Sequence, residues 1–312
     1  MLPASAVICE CFARDGLQHE PRIVPTAEKV RAIELFADLG FRRIEATSFS
    51  HPKYVPQFAD AEEVLRRIRR RKHVIYKATC VNATAARRAV AAVRRGVGPS
   101  EISLVVSASE MHSIRNVRRN HAQMREELGL ALGIAEAIGL PVSATIATAF
   151  GCPFSGAVAE AQVERWVEFF VERGAHTISL GDTTGMGNPV SVEERFRGLR
   201  SRWPKLTWIG HFHDTRGTGL ANCVAALRAG VDHLDAAFGG LGGHPPGIEY
   251  GTGLTGNVAT EDLVSMLSDM GVTVGVDLGR LFEGSRLAEI VAGRPLHARV
   301  PLAGLTRDLM SA

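Results

Sequence analysis

AVICECFARDGLQHE (residues 6–20) is the stretch that decides between two architectures. It opens as a strand through about position 11 and then turns. An open, doubly wound sheet normally carries G-x-G-x-x-G in the turn after its first strand, where glycines let the backbone approach a pyrophosphate. Here the turn reads ARDGLQHE (13–20). The alternative for alternating strands and helices is a closed barrel, and the rest of the chain supplies the count. Strand-like runs lie near 5–11, 42–49, 73–80, 101–108, 142–149, 176–181, 207–213 and 233–238. Helical patterns occupy 26–39, 60–71, 83–95, 116–138, 159–173, 191–202, 218–229, 260–270 and 279–292. Eight strand–helix units predict an α/β fold, a (β/α)8 TIM barrel. Thr26 and Thr260 are placed as helix N-caps, each with acidic residues following. Gly40, Gly139, Gly174, Gly230 and Gly271 fall where helices should stop. No break in composition divides the chain. Residues 1–276 therefore read as the barrel, and 277–312 as a helical C-terminal extension packed on it.

The 312 residues are 46% hydrophobic and 22% charged, with a formal net charge of +3. That balance is ordinary for a soluble globular protein and gives no reason to expect nucleic acid. No apolar run approaches the roughly 20 residues of a membrane span. The N-terminus runs almost at once into a strand, so no secretory leader is expected and the reading is cytoplasmic. The cysteines (Cys9, Cys11, Cys80, Cys152, Cys223) are an odd number and widely spread. They suit a reducing compartment better than a disulfide framework. Cys9 and Cys11 form a C-x-C pair without a second pair to complete a zinc site, so they read as two small residues on one strand face.

In a barrel, chemistry is placed at the C-terminal ends of the strands. His211 and His213 stand at such an end, two apart and hence on one face. Either they are a hydrogen-bonded pair lining a polar core, or they bind a metal, with Asp15 and Asn257 as oxygen donors for a hard or borderline ion such as Mg2+ or Mn2+. Arg14, beside Asp15, either orients that carboxylate as an ion pair or points its fork at an oxygen that becomes negative during reaction. Residues 239–256 hold eight glycines in eighteen, with His244, Glu249 and Tyr250 among them. Such a loop is either a tight connection or a close approach to a ligand.

Beyond ARDGLQHE, the chain carries IEATSFSHPKYVPQFAD (44–60), SASE (107–110), FGCPFSG (150–156), ISLGDTTGMGNP (178–189), HFHDTRGTGLAN (211–222) and GNVATEDLV (256–264). In these motifs and their order the chain resembles the 3-hydroxy-3-methylglutaryl-CoA lyase family, metal-dependent barrel enzymes related to the isopropylmalate synthases. The resemblance implies that Asp15, His211, His213 and Asn257 are metal ligands for a divalent cation, Mg2+ or Mn2+. It implies that Arg14 steadies an enolate and that Glu45, Asp182 and His211 serve the catalytic centre. Gln18, Ser48, Asn82 and Arg115 are the expected substrate-binding residues. The implied reaction is retro-Claisen cleavage of a 3-hydroxy acyl-CoA to acetyl-CoA and a keto acid. The partner it implies is a small-molecule acyl-CoA thioester; charge and hydropathy give no nucleic acid and no membrane, and a homo-oligomer is left open. HDT at 213–215 resembles the lyases rather than the H-x-H-N-D of the synthases.

The loop departs from the family. The lyases show GGCPYAxGxSGN there, and this chain reads GGHPPGIEYGTGLTGN (242–257), longer by about four residues, with His244 where the family has an acid/base Cys. His244 takes over proton transfer, Glu249 or Tyr250 does, or the reaction has changed. GRPLHAR (293–299) also departs from the polar segment through which the lyases hold CoA. An acyltransferase condensing an acyl-CoA with a keto acid and a non-catalytic ligand-binding barrel are the competing readings. Of the basic clusters, RRIRRRKH (66–73) falls at a helix end on the face away from catalysis, where cations suit the helix dipole. Arg115, Arg118 and Arg119 follow the fourth strand on the catalytic side. They are either an exposed helix start or a site for CoA phosphates.

Overall fold

The computed structural model describes residues 2–243 and 256–310. Eight strands close into a parallel barrel in sequence order: β1 (Val7–Glu10), β2 (Arg43–Ser48), β3 (Ile75–Cys80), β4 (Glu101–Ser107), β5 (Val142–Ala147), β6 (Thr177–Asp182), β7 (Thr207–Phe212) and β8 (His233–Ala236). Each lies within a run expected from the sequence, except that β6 extends one residue further, to Asp182. β1 pairs with β8 and seals the barrel, with Cys9 opposite Asp235. The helices are α1 (Thr26–Asp38), α2 (Ala61–Arg67), α3 (Ala83–Arg94), α4 (Glu110–Val117), α5 (His121–Glu136), α6 (Glu160–Val171), α7 (Pro189–Arg202), α8 (Gly219–Arg228), α9 (Thr260–Asp269), α10 (Leu281–Ala292), α11 (Val300–Ala303) and α12 (Thr306–Met310). None among the described residues is long and apolar enough to cross a membrane.

Strand alternation sorts the side chains into two compartments. Ile44, Ala46, Tyr76, Ala78, Ile102, Leu104, Ile178, Leu180, Phe212 and Leu234 join the helices in a continuous apolar layer. The intervening positions fill the barrel interior with polar groups: Glu45, Lys77, Thr79, Ser103, Ser143, Ser179 and Asp235, all buried. The β2–β3 register shifts between Glu45 and Thr47. This bulge lies at the catalytic end, where bulges commonly re-aim side chains. The C-terminal helices pack on the barrel: Phe238 stacks on Phe36 at 4.7 Å, and α10 reaches that pair through Gly284. A Cβ at 284 would stand 2.4 Å from the Phe238 ring, so only glycine permits this approach.

Three local expectations are corrected. Residues 116–138 are not one helix. Arg118 takes a left-handed φ of 56° that ends α4, and Asn120 starts α5 through a reciprocal capping box with Gln123. An Asn side chain that satisfies backbone N–H groups competes with continuous helix, so the N-x-x-Q signal wins. Thr26 and Thr260 are first helical residues rather than N-caps. Pro25 and Ala259 precede them, and their hydroxyls donate to acids instead, Thr26 to the half-buried Asp60 and Thr260 to the buried Glu10. α2 stops at Arg67, short of 71, because Ile68 is extended. The five glycine stops hold, each at positive φ.

The arginines after α2 are engaged locally. Arg66 pairs with Glu63, Arg69 with Glu34 and Arg71 with Asp38, while Arg70 donates to the Gly98 carbonyl. On the other side of the sheet layer, Glu10 accepts from the Phe12 and Phe238 N–H groups (2.9 and 3.2 Å) and from the Thr260 hydroxyl (2.6 Å). It thereby fastens β1 to the chain after β8. Burial nonetheless pushes its carboxyl up to about 8 from an ordinary 4.5. The folded protein therefore holds a proton that the unfolded chain releases, and stability falls as pH rises from the ordinary value through the folded one. Thermal midpoints should decline between about pH 5 and about pH 8. Glu10→Gln should flatten that slope without erasing it, because Glu261 is pushed up to about 7 in the same direction. A slope identical in the variant would count against Glu10.

Candidate active site

β7 ends by turning two imidazoles into the barrel mouth. His211 Nε2 and His213 Nε2 stand 3.1 Å apart, and Phe212 between them enters the apolar layer. The first turn after β1, a π-turn over Phe12–Gly16, delivers Asp15 to the same point. Its Oδ2 lies 3.5 Å from His213 Nε2 and 3.9 Å from His211 Nε2. Asn257, past β8, completes the group: His213 and Asn257 form an antiparallel bridge, and Asn257 Nδ2 donates to Asp15 Oδ2 at 2.7 Å. All four expected ligands therefore meet on one face of the molecule.

The donor chemistry fits a divalent cation. His211 Nδ1 faces the Asp235 carboxylate at 3.1 Å, which puts the proton on Nδ1 and a lone pair on Nε2. That lone pair converges with His213 Nε2 and an Asp15 oxygen, all within 4.8 Å of one another. Three electron-rich atoms so close call for a positive charge between them. Adjacent ligands of an octahedral ion with bonds near 2.1 Å stand about 3 Å apart, which the imidazole pair already matches. Asn257 Oδ1 is buried without a partner. A half-turn of that amide presents an oxygen to the same centre.

Charge around the centre is balanced from below. Burial alone would raise the Asp15 pKa, but Arg14 and the two histidines outweigh it and hold the carboxyl well below its ordinary range. Burial would lower the His211 pKa, yet Asp235 and Asp15 raise it overall. The Arg14 guanidinium is fixed by Asp15 Oδ1 (2.5 Å), Glu45 Oε2 (3.0 Å) and Gln18 Oε1 (3.4 Å). Glu45 is held in turn by the Thr79 hydroxyl at 2.5 Å and the buried Lys77 ammonium at 3.8 Å. One continuous polar network thus runs from β2 and β3 to Asp15.

The other expected residues divide. Gln18 belongs to the network through Arg14. Asp182, at the end of β6, accepts from Met186 N and Gly187 N, so it braces the β6–α7 turn, and His213 is near enough to stabilise its charge. Ser48 is buried at the end of β2, bonded to Ser50 at 2.8 Å, and Asn82 caps α3 through Ala85 N. The structure thus gives both a local backbone task. Arg115 is exposed on α4, its guanidinium 4.4 Å from the Phe154 ring centroid, while Arg119 pairs with Glu127. His244, Glu249 and Tyr250 lie outside the described residues. Asp235, Lys77 and Thr79 were not singled out from the sequence. The signal for Asp235 was available: in HLDAAF (233–238) it is register partner to His211 across β7–β8.

The profile of the family described as HMGL-like matches residues 6–288. The chain belongs to that family. The HMGL-like chain is 38% identical over 297 residues to a hydroxymethylglutaryl-CoA lyase of Bacillus subtilis, covering 95% of this chain and 96% of that one. It is 37% identical over 281 residues to the mitochondrial hydroxymethylglutaryl-CoA lyase of Gallus gallus, covering 90% and 91%. Among solved structures, an HMG-CoA lyase from Acinetobacter baumannii in complex with coenzyme A and 3-methylmalate superposes with a TM-score of 0.90 at 38% identity, covering 98% of this chain and 97% of that one. The closed barrel of this HMGL-like chain is thus shared with lyases over nearly their whole length.

Proposed function

We propose that this chain is a divalent-metal-dependent carbon–carbon lyase that cleaves 3-hydroxy-3-methylglutaryl-CoA, or a close 3-hydroxy acyl-CoA, to acetyl-CoA and a keto acid. The observation that carries the reading is the meeting of Asp15, His211, His213 and Asn257 beside Arg14, in a chain similar to lyases from end to end. Those four residues would hold Mg2+ or Mn2+. Such an ion supplies Lewis acidity that lowers the pKa of a substrate hydroxyl. The chain's own groups do the rest. Asp235 keeps His211 in one tautomer. Arg14, immobilised by Glu45 and Gln18, presents positive charge where an enolate oxygen develops. Asp182 keeps the adjoining turn in place. His244 is the proposed proton donor to the enolate, on the strength of its position in the sequence and an ordinary pKa of about 6.5. Residues 277–312 form part of the same working unit as the barrel, in this proposal.

The test is direct. Purified protein stripped with a chelator, then given Mg2+ or Mn2+, should form acetyl-CoA and acetoacetate from 3-hydroxy-3-methylglutaryl-CoA. Absence of metal-dependent cleavage across a panel of 3-hydroxy acyl-CoA thioesters would reject the proposal. The reverse assay, an acyl-CoA with a keto acid, separates a lyase from a condensing enzyme.

Two variants address roles within the site. Asp235→Asn keeps the shape but can offer His211 Nδ1–H only a neutral acceptor. Loss of such an outer partner typically weakens metal affinity by about 10–100-fold, and Mn2+ titration followed by electron paramagnetic resonance should show this. Unchanged affinity would reduce Asp235 to a structural group. His244→Ala should slow turnover and remove one limb of the pH–rate profile while Mn2+ affinity stays as it was. A wild-type profile in that variant would pass the role to Glu249 or Tyr250.

A further inference from the structure

We propose that Cys9, Cys11 and Asp235 form a second metal site, separate in its donor chemistry from the first, that takes one thiophilic divalent cation such as Zn2+ or Cd2+. Cys9 lies in β1 and Cys11 just past its end, where its N–H still bonds to the Ala236 carbonyl, so both leave the apolar layer that holds Ile8 and Phe12 and turn into the barrel interior. Their sulfurs stand 4.0 Å apart. Two thiolates on a tetrahedral ion with bonds near 2.3 Å stand about 3.8 Å apart, so the pair needs to close by only a few tenths of an ångström. Asp235 is the register partner of Cys9 across the β1–β8 seam. One sulfur of each cysteine and a carboxylate oxygen of Asp235 all lie within 4.8 Å of one another, and all three residues are buried.

An independent observation points to a ligand. Asp235 is 2% exposed; its Oδ2 faces His211, but Oδ1 is buried with no hydrogen-bond partner. A buried carboxylate oxygen left without a donor is costly. A cation shared with the two sulfurs would satisfy it. The surroundings divide over the charge: the neighbouring Cys9 sulfur and burial push the Cys11 thiol up, so an entering ion must displace its proton. Two thiolates, one carboxylate and a divalent ion sum to one net negative charge, and the buried Arg43 and Lys77 cations are near enough to feel both Cys9 and Asp235. The step is a ligand exchange without redox change: two S–H bonds break, two S–metal bonds form, and two protons pass to solvent. Read from the sequence alone, the C-x-C pair lacked further donors; β8 brings one of them to it.

The probe is Cd2+, added to folded protein saturated with Mg2+. One equivalent should bind with an ultraviolet thiolate-to-cadmium charge-transfer band and release two protons. X-ray absorption at the cadmium edge should show two sulfur neighbours among lighter ones. A Cys9→Ser/Cys11→Ser double variant should lose the band, while its Mn2+ affinity at Asp15, His211 and His213 stays unchanged. An undiminished band in that variant, or a wild-type cadmium spectrum with only nitrogen and oxygen neighbours, would overturn the site. Should the double variant fail to fold, the wild-type absorption spectrum decides alone.

Discussion

Asp15→Asn should abolish tight divalent-cation binding and cost about a thousandfold in turnover, since the Lewis acid contributes several kcal/mol to the transition state and each 1.36 kcal/mol is tenfold. Asp15 is the only carboxylate among the four proposed ligands, and its Oδ2 stands 3.5 Å from His213 Nε2 and 3.9 Å from His211 Nε2. The amide is nearly isosteric, so the π-turn and the barrel should persist. It carries no negative charge, however, and Arg14 would then sit beside a neutral group. Calorimetric titration with Mn2+ and a circular dichroism spectrum, taken on the same preparation, separate loss of metal from loss of fold. Wild-type Mn2+ affinity in a folded Asp15→Asn protein would remove Asp15 from the ligand set.

Arg14→Met should lower kcat by about a hundred- to a thousandfold, the scale of losing one preorganised donor to a developing oxyanion, with KM changed only a few-fold. The fold should survive. Glu45, the buried acid that Arg14 pairs with, retains the Thr79 hydroxyl and the Lys77 ammonium. Losing Arg14 also removes the chief influence that depresses the Asp15 pKa. The acid limb of the pH–rate profile should therefore move upward, because Asp15 would protonate at higher pH. Arg14→Lys keeps the charge but loses the fork, so it should restore the acid limb more fully than kcat. A rise in KM with kcat intact would make Arg14 a substrate anchor instead.

The eight strands were legible because each is a short apolar run bounded by turn residues, and the helices between them forbid any sheet but a parallel one. What escaped were decisions made locally by single polar side chains. Asn120 divides a stretch whose apolar pattern runs on without interruption. Thr260 looks like a cap until Glu10, 250 positions away, claims its hydroxyl. The same holds at the site. His211 and His213 declare themselves by spacing, and Asp15 and Asn257 by polar placement at the barrel mouth, which the motif resemblance then made a ligand set. Lys77 was missed because an interior polar residue on a strand is recognisable only once the strand opposite is known; Asp235, an acid among apolar residues in HLDAAF, left a trace in the sequence, but its pairing with His211 did not. Ser48 and Asn82, both polar and at strand ends, satisfied the placement rule equally well, and each also bonds within its own turn. Position at the mouth of a barrel nominates a residue; its hydrogen bonds decide what it is available to do.

The proposed ligands also sit where the barrel's two ends meet. Asp15 follows β1, the histidines lie on β7, and Asn257 comes after β8, a separation of 242 residues between Asp15 and Asn257. The centre is therefore astride the closing seam rather than within either half. A nascent chain cannot assemble the proposed site until it has been made through Asn257. A fragment lacking β1, or one ending before β8, should hold no ion at this place, and two complementary fragments should recover binding together or not at all. An ion that binds only the sealed form also favours sealing, by a free energy that grows with its concentration over Kd. In this proposal the cation is a clasp on the barrel, and chelators should loosen the β1–β8 joint first, as faster amide exchange in those two strands than in β3–β6.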